Sequence, residues 1–426
     1  MRALSGSTGI YIFGTAMAFL VGVQLARGLG VAGYGLYGSA MAAATLGATF
    51  ASGGLKLHAT RDLAAYRAHG DHQSGARLIG WSFRYVVMLG VVAALAAGAY
   101  VVWGLKASAD LAVSTMVVTA FMALLALVGA ILCGADRLVL GQALDTAIRP
   151  TAYAVLLGAA MLAFGQIDPG MAMILTVAAI VLTLLFGWRT VWRLWRVPER
   201  GIASPDEQNR WRKASAMMGL TTIMFAAEAA IPLIVVGALS TLEQAGLFRV
   251  ATAVTVFANM PASMILAMVP AMMTSLYQRQ EFRQLQRLAL AAALIILAPT
   301  LGIAGCLWIF GEELLALGFG DDYRAAGLIM SILAGASVVN AAAGASISLL
   351  HAARHDAVAT RAFAVSLATT CTGLLIAAWD GSAVGFAIAV VAGLFARATF
   401  LVVATYRLVG IDPTILGVFR MVGRQP

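Results

Sequence analysis

The stretch Ala32-Gly33-Tyr34-Gly35-Leu36-Tyr37 returns later in the chain as Glu243-Gln244-Ala245-Gly246-Leu247-Phe248. Each phrase follows the end of one apolar segment and begins the next. Aligning Gly35 with Gly246 gives an offset of 211 residues, 246 minus 35, which is almost half of the 426-residue chain. The same offset aligns Ala40 with Ala251. An offset of half the chain indicates two related halves.

The composition places both halves in a membrane. Hydrophobic residues make up 61% of the chain and charged residues 11%, whereas a soluble domain usually carries about 25% charged residues. A helix rises 1.5 Å per residue, so about 20 apolar residues cross the hydrocarbon layer. The apolar runs predict twelve spans: 7–26, 35–55, 80–103, 111–133, 150–165, 171–190, 215–238, 246–270, 287–309, 325–349, 359–379 and 383–405.

The basic residues predict the orientation of these spans. The N-terminus, the tail and every second loop hold 23 of the 28 Lys and Arg residues, while the opposite loops hold four. Cytoplasmic loops carry the excess of Lys and Arg, so both termini are expected in the cytoplasm. The net charge of +9 is then an orientation signal and a contact with anionic membrane lipids, and nucleic acid is not expected as a partner.

The chain has one segment that is typical of a linker. Residues 192–214 are rich in Arg and contain Pro198 and Pro205. The predicted organisation is an N-terminal six-helix lobe over 1–191, a basic cytoplasmic linker over 192–214, a C-terminal six-helix lobe over 215–406 and a cytoplasmic tail over 407–426. The fold class is an all-α polytopic membrane protein of about twelve helices, with two lobes related by pseudo-two-fold symmetry along the membrane normal.

Two further segments on the cytoplasmic side are predicted to lie at the membrane surface. Residues 275–287 alternate apolar and basic side chains as an interfacial stretch does. Asp412 followed by Pro413 fits the start of a short helix over residues 413–423.

Ionisable groups inside a span are costly enough to be functional candidates. Glu228 lies near the middle of the seventh predicted span, and Pro232 follows it by four residues. A proline cannot donate to the carbonyl four residues before it, so a backbone acceptor is left beside a carboxyl group. Glu228 is therefore a candidate for coupling to a proton or an ion, and a permanent pair with an arginine is the alternative.

Three arginines in or near the spans are candidates for binding an anionic headgroup. Arg249 enters the eighth span by less than two turns, Arg27 closes the first span, and Arg397 lies midway along the last span. Other readings are a pair with Glu228 or outward snorkelling for Arg249, and interfacial anchoring for Arg27. Arg397 is too deep to snorkel and is expected to face protein or a wet cavity.

Signatures of enzymes, metals and cofactors are absent from the sequence. His351 and His355 have i, i+4 spacing without the acidic residue of a zinc hydrolase motif. All five histidines fall in predicted cytoplasmic loops and are expected to be solvated. The three cysteines, Cys133, Cys306 and Cys371, form no metal or disulfide pattern. No P-loop is present, so neither a metal nor a cofactor is expected.

Several phrases, taken in order, resemble the polysaccharide flippases of the multidrug/oligosaccharidyl-lipid/polysaccharide exporter superfamily. The phrases are Leu25-Ala26-Arg27-Gly28-Leu29-Gly30, Gly33-Tyr34-Gly35-Leu36-Tyr37, Gly53-Gly54-Leu55, Thr60-Arg61-Asp62-Leu63-Ala64, residues 243–251, Gly318-Phe319-Gly320-Asp321-Asp322-Tyr323, Ala325-Ala326 and Asn340. They extend over nearly the whole chain. Neither Arg249 nor Arg397 falls on an invariant motif of that family.

The resemblance implies a transporter of two six-helix lobes around a central cavity. Its substrate would be an oligosaccharide on a polyprenyl diphosphate, moved across a bacterial inner membrane, and its partners would be membrane lipids and polysaccharide polymerase or assembly proteins. Three arginines against one glutamate favour an anionic substrate. Two alternatives stay open: a cation-coupled multidrug exporter of the same superfamily, and a membrane enzyme of polysaccharide assembly such as a polymerase or ligase.

Overall fold

The computed structural model describes residues 2–194 and 203–414, and these residues contain helices and turns but no strand. Thirteen α-helices are found among them, and their bounds are α1 Arg2–Ala68, α2 His72–Ala99, α3 Ala109–Gly134, α4 Leu138–Ala143, α5 Arg149–Phe164, α6 Pro169–Leu194, α7 Pro205–Leu239, α8 Leu242–Gln278, α9 Phe282–Phe319, α10 Gly327–Ala342, α11 Ser346–Ala352, α12 Asp356–Ala377 and α13 Ala383–Val409. Short π-helical turns follow α2 and α4, and a 3₁₀ turn precedes α10.

The helices confirm a multi-pass membrane protein. Eleven helical segments within the described residues are long and apolar enough to cross a membrane. The first of them is 60 residues long, about 90 Å at 1.5 Å per residue, which is enough for two crossings. It is divided at Gly30, whose φ of 66° and ψ of 178° are not helical. The two arms of α1 correspond to the first two predicted spans.

Two predictions about connecting segments differ from the structure. The outer loop expected over residues 28–33 is reduced to the single non-helical residue Gly30, because glycine can adopt this positive φ without a steric penalty. The stretch 275–287, expected to lie flat at the interface, is instead the end of α8 and the start of α9 joined by a short turn. Most of the predicted tail helix, residues 415–423, lies outside the described residues.

The chain forms two compact units, Met1–Ala238 (unit 1) and Leu239–Pro426 (unit 2). Helix α7 therefore packs within unit 1, although it follows the predicted linker, of which residues 195–202 lie outside the described part. From Pro205 onward the linker residues already belong to α7. The sequence predicts a boundary between two repeated lobes at 192–214, whereas the compact units meet at Ala238 and Leu239. The first boundary divides the repeats and the second divides the packed units, so the predicted lobe boundary stays a prediction.

The same packing order occurs in each unit. In unit 1, α1 packs against α2 and α3, α3 against α6, and α5 against α6. In unit 2, α8 packs against α9 and α10, α10 against α13, and α12 against α13. The repeated phrase lies at the start of the second arm of α1 and at the start of α8, where its aromatic residues Tyr37 and Phe248 are both buried.

The turns after α1 and α8, predicted to be cytoplasmic, have the same backbone geometry. Gly70 and Gln280 both have positive φ, 72° and 58°. In each turn three successive amides, starting at this residue, donate to carbonyls three, five and two residues earlier. The residues that follow, Asp71 and Glu281, have nearly equal dihedrals of −83°, 71° and −85°, 62°. The internal repeat thus extends beyond the phrase that the sequence shows.

Candidate functional site

Arg249 lies on the second turn of α8, which begins after the N-cap Thr241. The N-terminal end of this helix is fixed to α13, because the side chain of Gln244 accepts a hydrogen bond of 3.0 Å from the amide of Ala383. Phe248 and Val250 on either side are buried. Arg249 itself is half-buried, and its Nε is buried without a hydrogen-bond partner among the described residues.

An unmatched buried donor costs about 1–3 kcal/mol. A guanidinium group is suited to carboxylates and phosphates, which accept two parallel hydrogen bonds from it. The position of Arg249 is therefore chemically incomplete in the described structure, and an anionic group would complete it.

Arg397 lies inside unit 2 with 6% of its surface exposed. Its guanidinium donates to the Asn340 side chain at 2.9 Å and stands over the ring of Phe363, 5.1 Å from the centroid. These contacts connect α13 to α10 and α12. The sequence predicts that Arg397 faces either protein or a wet cavity, and within unit 2 it contacts protein.

Arg27 is exposed on α1, three residues before the break at Gly30. Its neighbours Leu25 and Ala26 are buried in unit 1. The first arm of α1 ends at the non-helical residue Gly30, three residues after Arg27. The arginine is therefore placed at the end of the first arm with its side chain accessible.

Glu228 is buried on α7, with 9% of its surface exposed. Helix α7 continues through Pro232, and hydroxyl groups of unit 1 donate to the carbonyls that follow the proline. The Tyr100 hydroxyl donates to the Ile234 carbonyl at 2.7 Å, and Ser39 donates to the Leu233 carbonyl at 3.4 Å. The carboxyl group thus lies one turn before a segment of α7 that side-chain hydrogen bonds hold against α1 and the π-turn after α2.

The four predicted residues fall two in each unit. Arg27 and Glu228 belong to unit 1, and Arg249 and Arg397 belong to unit 2. A pair between Glu228 and Arg249 stays a prediction.

Sequence reasoning missed two polar features in the described residues. Asn259 on α8 donates to Ser337 on α10 at 3.0 Å, close in sequence to the Asn340 that binds Arg397. Only three asparagines occur in the chain, two of them in predicted spans, and an intramembrane amide is itself a signal of helix contacts. His58, expected to be solvated, has 1% of its surface exposed.

A family model described as "Polysaccharide biosynthesis protein" matches residues 4–275, which is more than half of the chain. The chain belongs to this polysaccharide biosynthesis protein family. The resemblance seen in the sequence is therefore confirmed. No curated protein matches this member of the family significantly.

Solved structures of transporters share the fold of this family member. An inward-facing multidrug resistance transporter of the MATE family, MOP superfamily, aligns with a TM-score of 0.70 at 14% identity over 96% of this chain and 94% of its own. The lipid II flippase MurJ in an inward closed conformation aligns with a TM-score of 0.71 at 12% identity over 100% and 94%. A MOP superfamily transporter from Pyrococcus furiosus Vc1 (DSM3638) aligns at 0.63, with 14% identity over 96% of both chains. The polysaccharide biosynthesis family member thus has the fold of the MOP transporters.

Proposed function

We propose that this protein is a flippase that moves a polyprenyl-diphosphate-linked oligosaccharide across the bacterial inner membrane by alternating access. The observation that carries the proposal is Arg249, whose buried Nε has no hydrogen-bond partner among the described residues, in a chain of the polysaccharide biosynthesis family. A diphosphate supplies acceptor oxygens in the geometry that guanidinium groups bind. The resemblance to MurJ, described as a lipid II flippase, supports the same class of substrate.

Arg27 contributes an accessible second cation for the headgroup at the break in α1. Arg397 contributes positive potential from inside unit 2, where Asn340 and Phe363 hold its guanidinium. Glu228 is the proposed coupling residue, because an ionisable group buried in a membrane span is costly and is typical of proton and ion pathways. Binding to the diphosphate is reversible, since nothing in the step breaks a covalent bond.

The alternative of a cation-coupled multidrug exporter draws on the multidrug transporters among the similar folds. An exporter of organic cations needs intramembrane acids, whereas the candidate groups in or near the predicted spans are one glutamate, Glu228, and three arginines, Arg27, Arg249 and Arg397. The charge balance therefore favours the anionic substrate. The polymerase or ligase alternative is not favoured by any contact described above.

Replacing Arg249 tests the proposal. In a strain whose own flippase gene has been deleted, Arg249→Ala is expected to abolish export of surface polysaccharide, measured by glycan staining and by accumulation of the lipid-linked oligosaccharide on the inner leaflet. Arg249→Lys is expected to restore part of the export, because a lysine keeps the charge but not the fork of donors.

The matched control is Arg324→Ala. Arg324 is an exposed outer arginine whose Nε pairs with Asp321 at 3.0 Å, and its replacement is expected to leave export normal. Membrane insertion of each variant is checked by immunoblot. Normal export by Arg249→Ala at wild-type protein levels would contradict the proposal that Arg249 binds the diphosphate.

A further inference from the structure

The cytoplasmic end of unit 1 contains a concentration of buried polar groups without partners. Eight buried side-chain nitrogen or oxygen atoms among the described residues have no hydrogen-bond partner. Six of the eight lie on the second arm of α1, on α2 and on α7: both ring nitrogens of His58, Nε of Arg77, the hydroxyls of Ser82 and Ser215, and the indole nitrogen of Trp211. These five residues, with Gly54, are called the cytoplasmic junction below.

Three contacts bring the helices of the junction together. A Cβ on Gly54 would overlap the carbonyl of Ser215, so α1 and α7 touch through their backbones. Trp211 on α7 packs on Trp81 of α2, with ring centroids 5.5 Å apart. One turn earlier on α7, Glu207 accepts from Arg77 of α2 at 3.1 Å. The junction is therefore a closed contact within unit 1.

The register of α1 against α7 places His58 in this contact. Ser39 contacts the carbonyl of Leu233, and Gly54 contacts that of Ser215. The two helices thus run antiparallel. His58 lies one turn beyond Gly54 on the same face of α1, so it comes opposite the turn of α7 that holds Trp211.

Charged side chains lie near His58, but none of those described forms a hydrogen bond with its ring. Asp62, one turn further on α1, has its Oδ2 3.6 Å from the His58 Nε2, and its other oxygen accepts from the neighbouring Arg61 at 2.8 Å. The Arg77 and Glu207 pair is the charged contact between α2 and α7. Only Asp62 is close enough to attract a proton to the imidazole.

The junction closes at a cost. Each buried polar group without a partner costs about 1–3 kcal/mol in desolvation, and water would satisfy all of them if α7 moved away. A proton on His58 adds a charge and a second N–H donor to a site that already lacks acceptors. Hydration of the open junction stabilises that charged ring far more than the closed contact does.

We propose that His58 is a proton-binding site whose protonation releases the cytoplasmic half of α7 from α1 and α2 and admits water to the junction. Opening at this point frees the segment of α7 before Glu228, which lies 13 residues after Ser215, about 20 Å along the helix. Only the consequence for Glu228 rests on the proposed function. The release of α7 is independent of what the protein transports.

Cysteine accessibility tests the proposal on the full-length protein. Ser215→Cys is made in a chain with Cys133→Ser, Cys306→Ala and Cys371→Ala, in inverted membrane vesicles whose cytoplasmic face is outward. A membrane-impermeant maleimide is the probe, applied on either side of the pH range in which histidine titrates. Its rate is divided by that of Ala357→Cys, an exposed position on the first turns of α12, to cancel the pH dependence of thiol chemistry.

The ratio is expected to rise severalfold from the alkaline to the acidic side. His58→Gln should keep it low at both, because an amide takes up no proton. Asp62→Asn, which keeps His58 but removes the carboxylate, should move the rise to lower pH; this variant tests the proposal even if His58→Gln fails to fold. A ratio that stays constant with pH, or rises equally in His58→Gln, would overturn it. Loss of transport in Arg249→Ala leaves this labelling unchanged, so the two proposals fail separately.

Discussion

Units 1 and 2 share a packing order but differ in the polar groups inside it. Both units bury hydroxyl groups, and unit 1 also buries Glu228 and His58. In unit 1 Tyr37 and Thr176 share a hydrogen bond of 3.0 Å, and Tyr153 donates to the Ala172 carbonyl at 3.0 Å. Unit 2 buries a guanidinium, Arg397, bound to the Asn340 amide. The repeat therefore determines where helices pack, whereas the chemistry between them is particular to each unit.

The arginines on the predicted cytoplasmic face also differ between the units. In unit 1 four described arginines of this face form ion pairs: Arg61 with Asp62, Arg67 with Asp136, Arg77 with Glu207 and Arg149 with Asp145. Six others are exposed and pair with no carboxylate in the described part of the chain: Arg84, Arg137, Arg189, Arg193, Arg210 and Arg212. In unit 2 the corresponding residues are exposed and pair with no carboxylate in the described part of the chain: Arg279, Arg283, Arg287, Arg354, Arg361 and Arg407. These arginines are available to anionic lipid headgroups, which attract basic residues at the cytoplasmic surface.

Arg397→Ala is the variant with the largest expected effect, because it removes the buried guanidinium that distinguishes unit 2 from unit 1. The variant loses a charged hydrogen bond and a cation–π contact and leaves a cavity, so unfolding free energy is expected to fall by about 3 kcal/mol. Tyr37→Phe in unit 1 should cost only about 1 kcal/mol. Thermal unfolding of the purified protein in detergent measures both. Equal losses would mean that the buried charge adds nothing to unit 2.

Glu228 extends the comparison of the two units, because it is a buried acidic group of unit 1, whereas Arg397 is a buried basic group of unit 2. Glu228→Gln, which mimics the protonated form, is expected to slow export about tenfold, near 1.4 kcal/mol in activation free energy, and to flatten its dependence on pH. Export from vesicles across a pH series is the measurement. Glu313→Gln, at an exposed carboxylate of α9, is the control. An unchanged pH profile would leave Glu228 a structural residue.

The smallest effect concerns the repeated turns. The Asp71 carboxylate accepts from the Ser74 amide at 2.9 Å and caps α2, whereas Glu281 makes no side-chain cap at the start of α9. Asp71→Ala should therefore cost about 1 kcal/mol in unfolding free energy, and Glu281→Ala close to nothing. Chemical denaturation of the two variants compares them, and a larger loss for Glu281→Ala would contradict the assignment of the cap.

The same cap has a predictable pH dependence. Hydrogen bonds from the side chain and the amide of Ser74 lower the pKa of Asp71. Because the folded pKa lies below the unfolded one, the contribution of the cap is complete above the unfolded pKa and is lost as pH falls through the folded value. The difference between wild type and Asp71→Ala should disappear in acid.

The sequence predicts the spans well because twenty apolar residues in a row have few structures open to them other than a membrane helix. It does not predict the contacts between helices. Asn340 and Phe363 are 57 and 34 residues away from Arg397 in the chain, by subtraction, and neither carries a local pattern that marks it as a partner. The sequence predicts a solvated His58 because the residue falls in a predicted cytoplasmic loop. Its burial depends on Gly54, one turn earlier, which lets α7 approach.

The turns at Gly70 and Gln280 share a backbone geometry but not an amino-acid sequence. Residues 69–72 read His-Gly-Asp-His and residues 279–282 read Arg-Gln-Glu-Phe, without one identity, yet the three hydrogen bonds are the same. A glutamine in the left-handed region lacks the conformational ease of a glycine, so this turn keeps its hydrogen bonds without the residue best suited to it. An alignment of the two halves by residue identity alone would pass over this position, and one guided by dihedral angles would begin there.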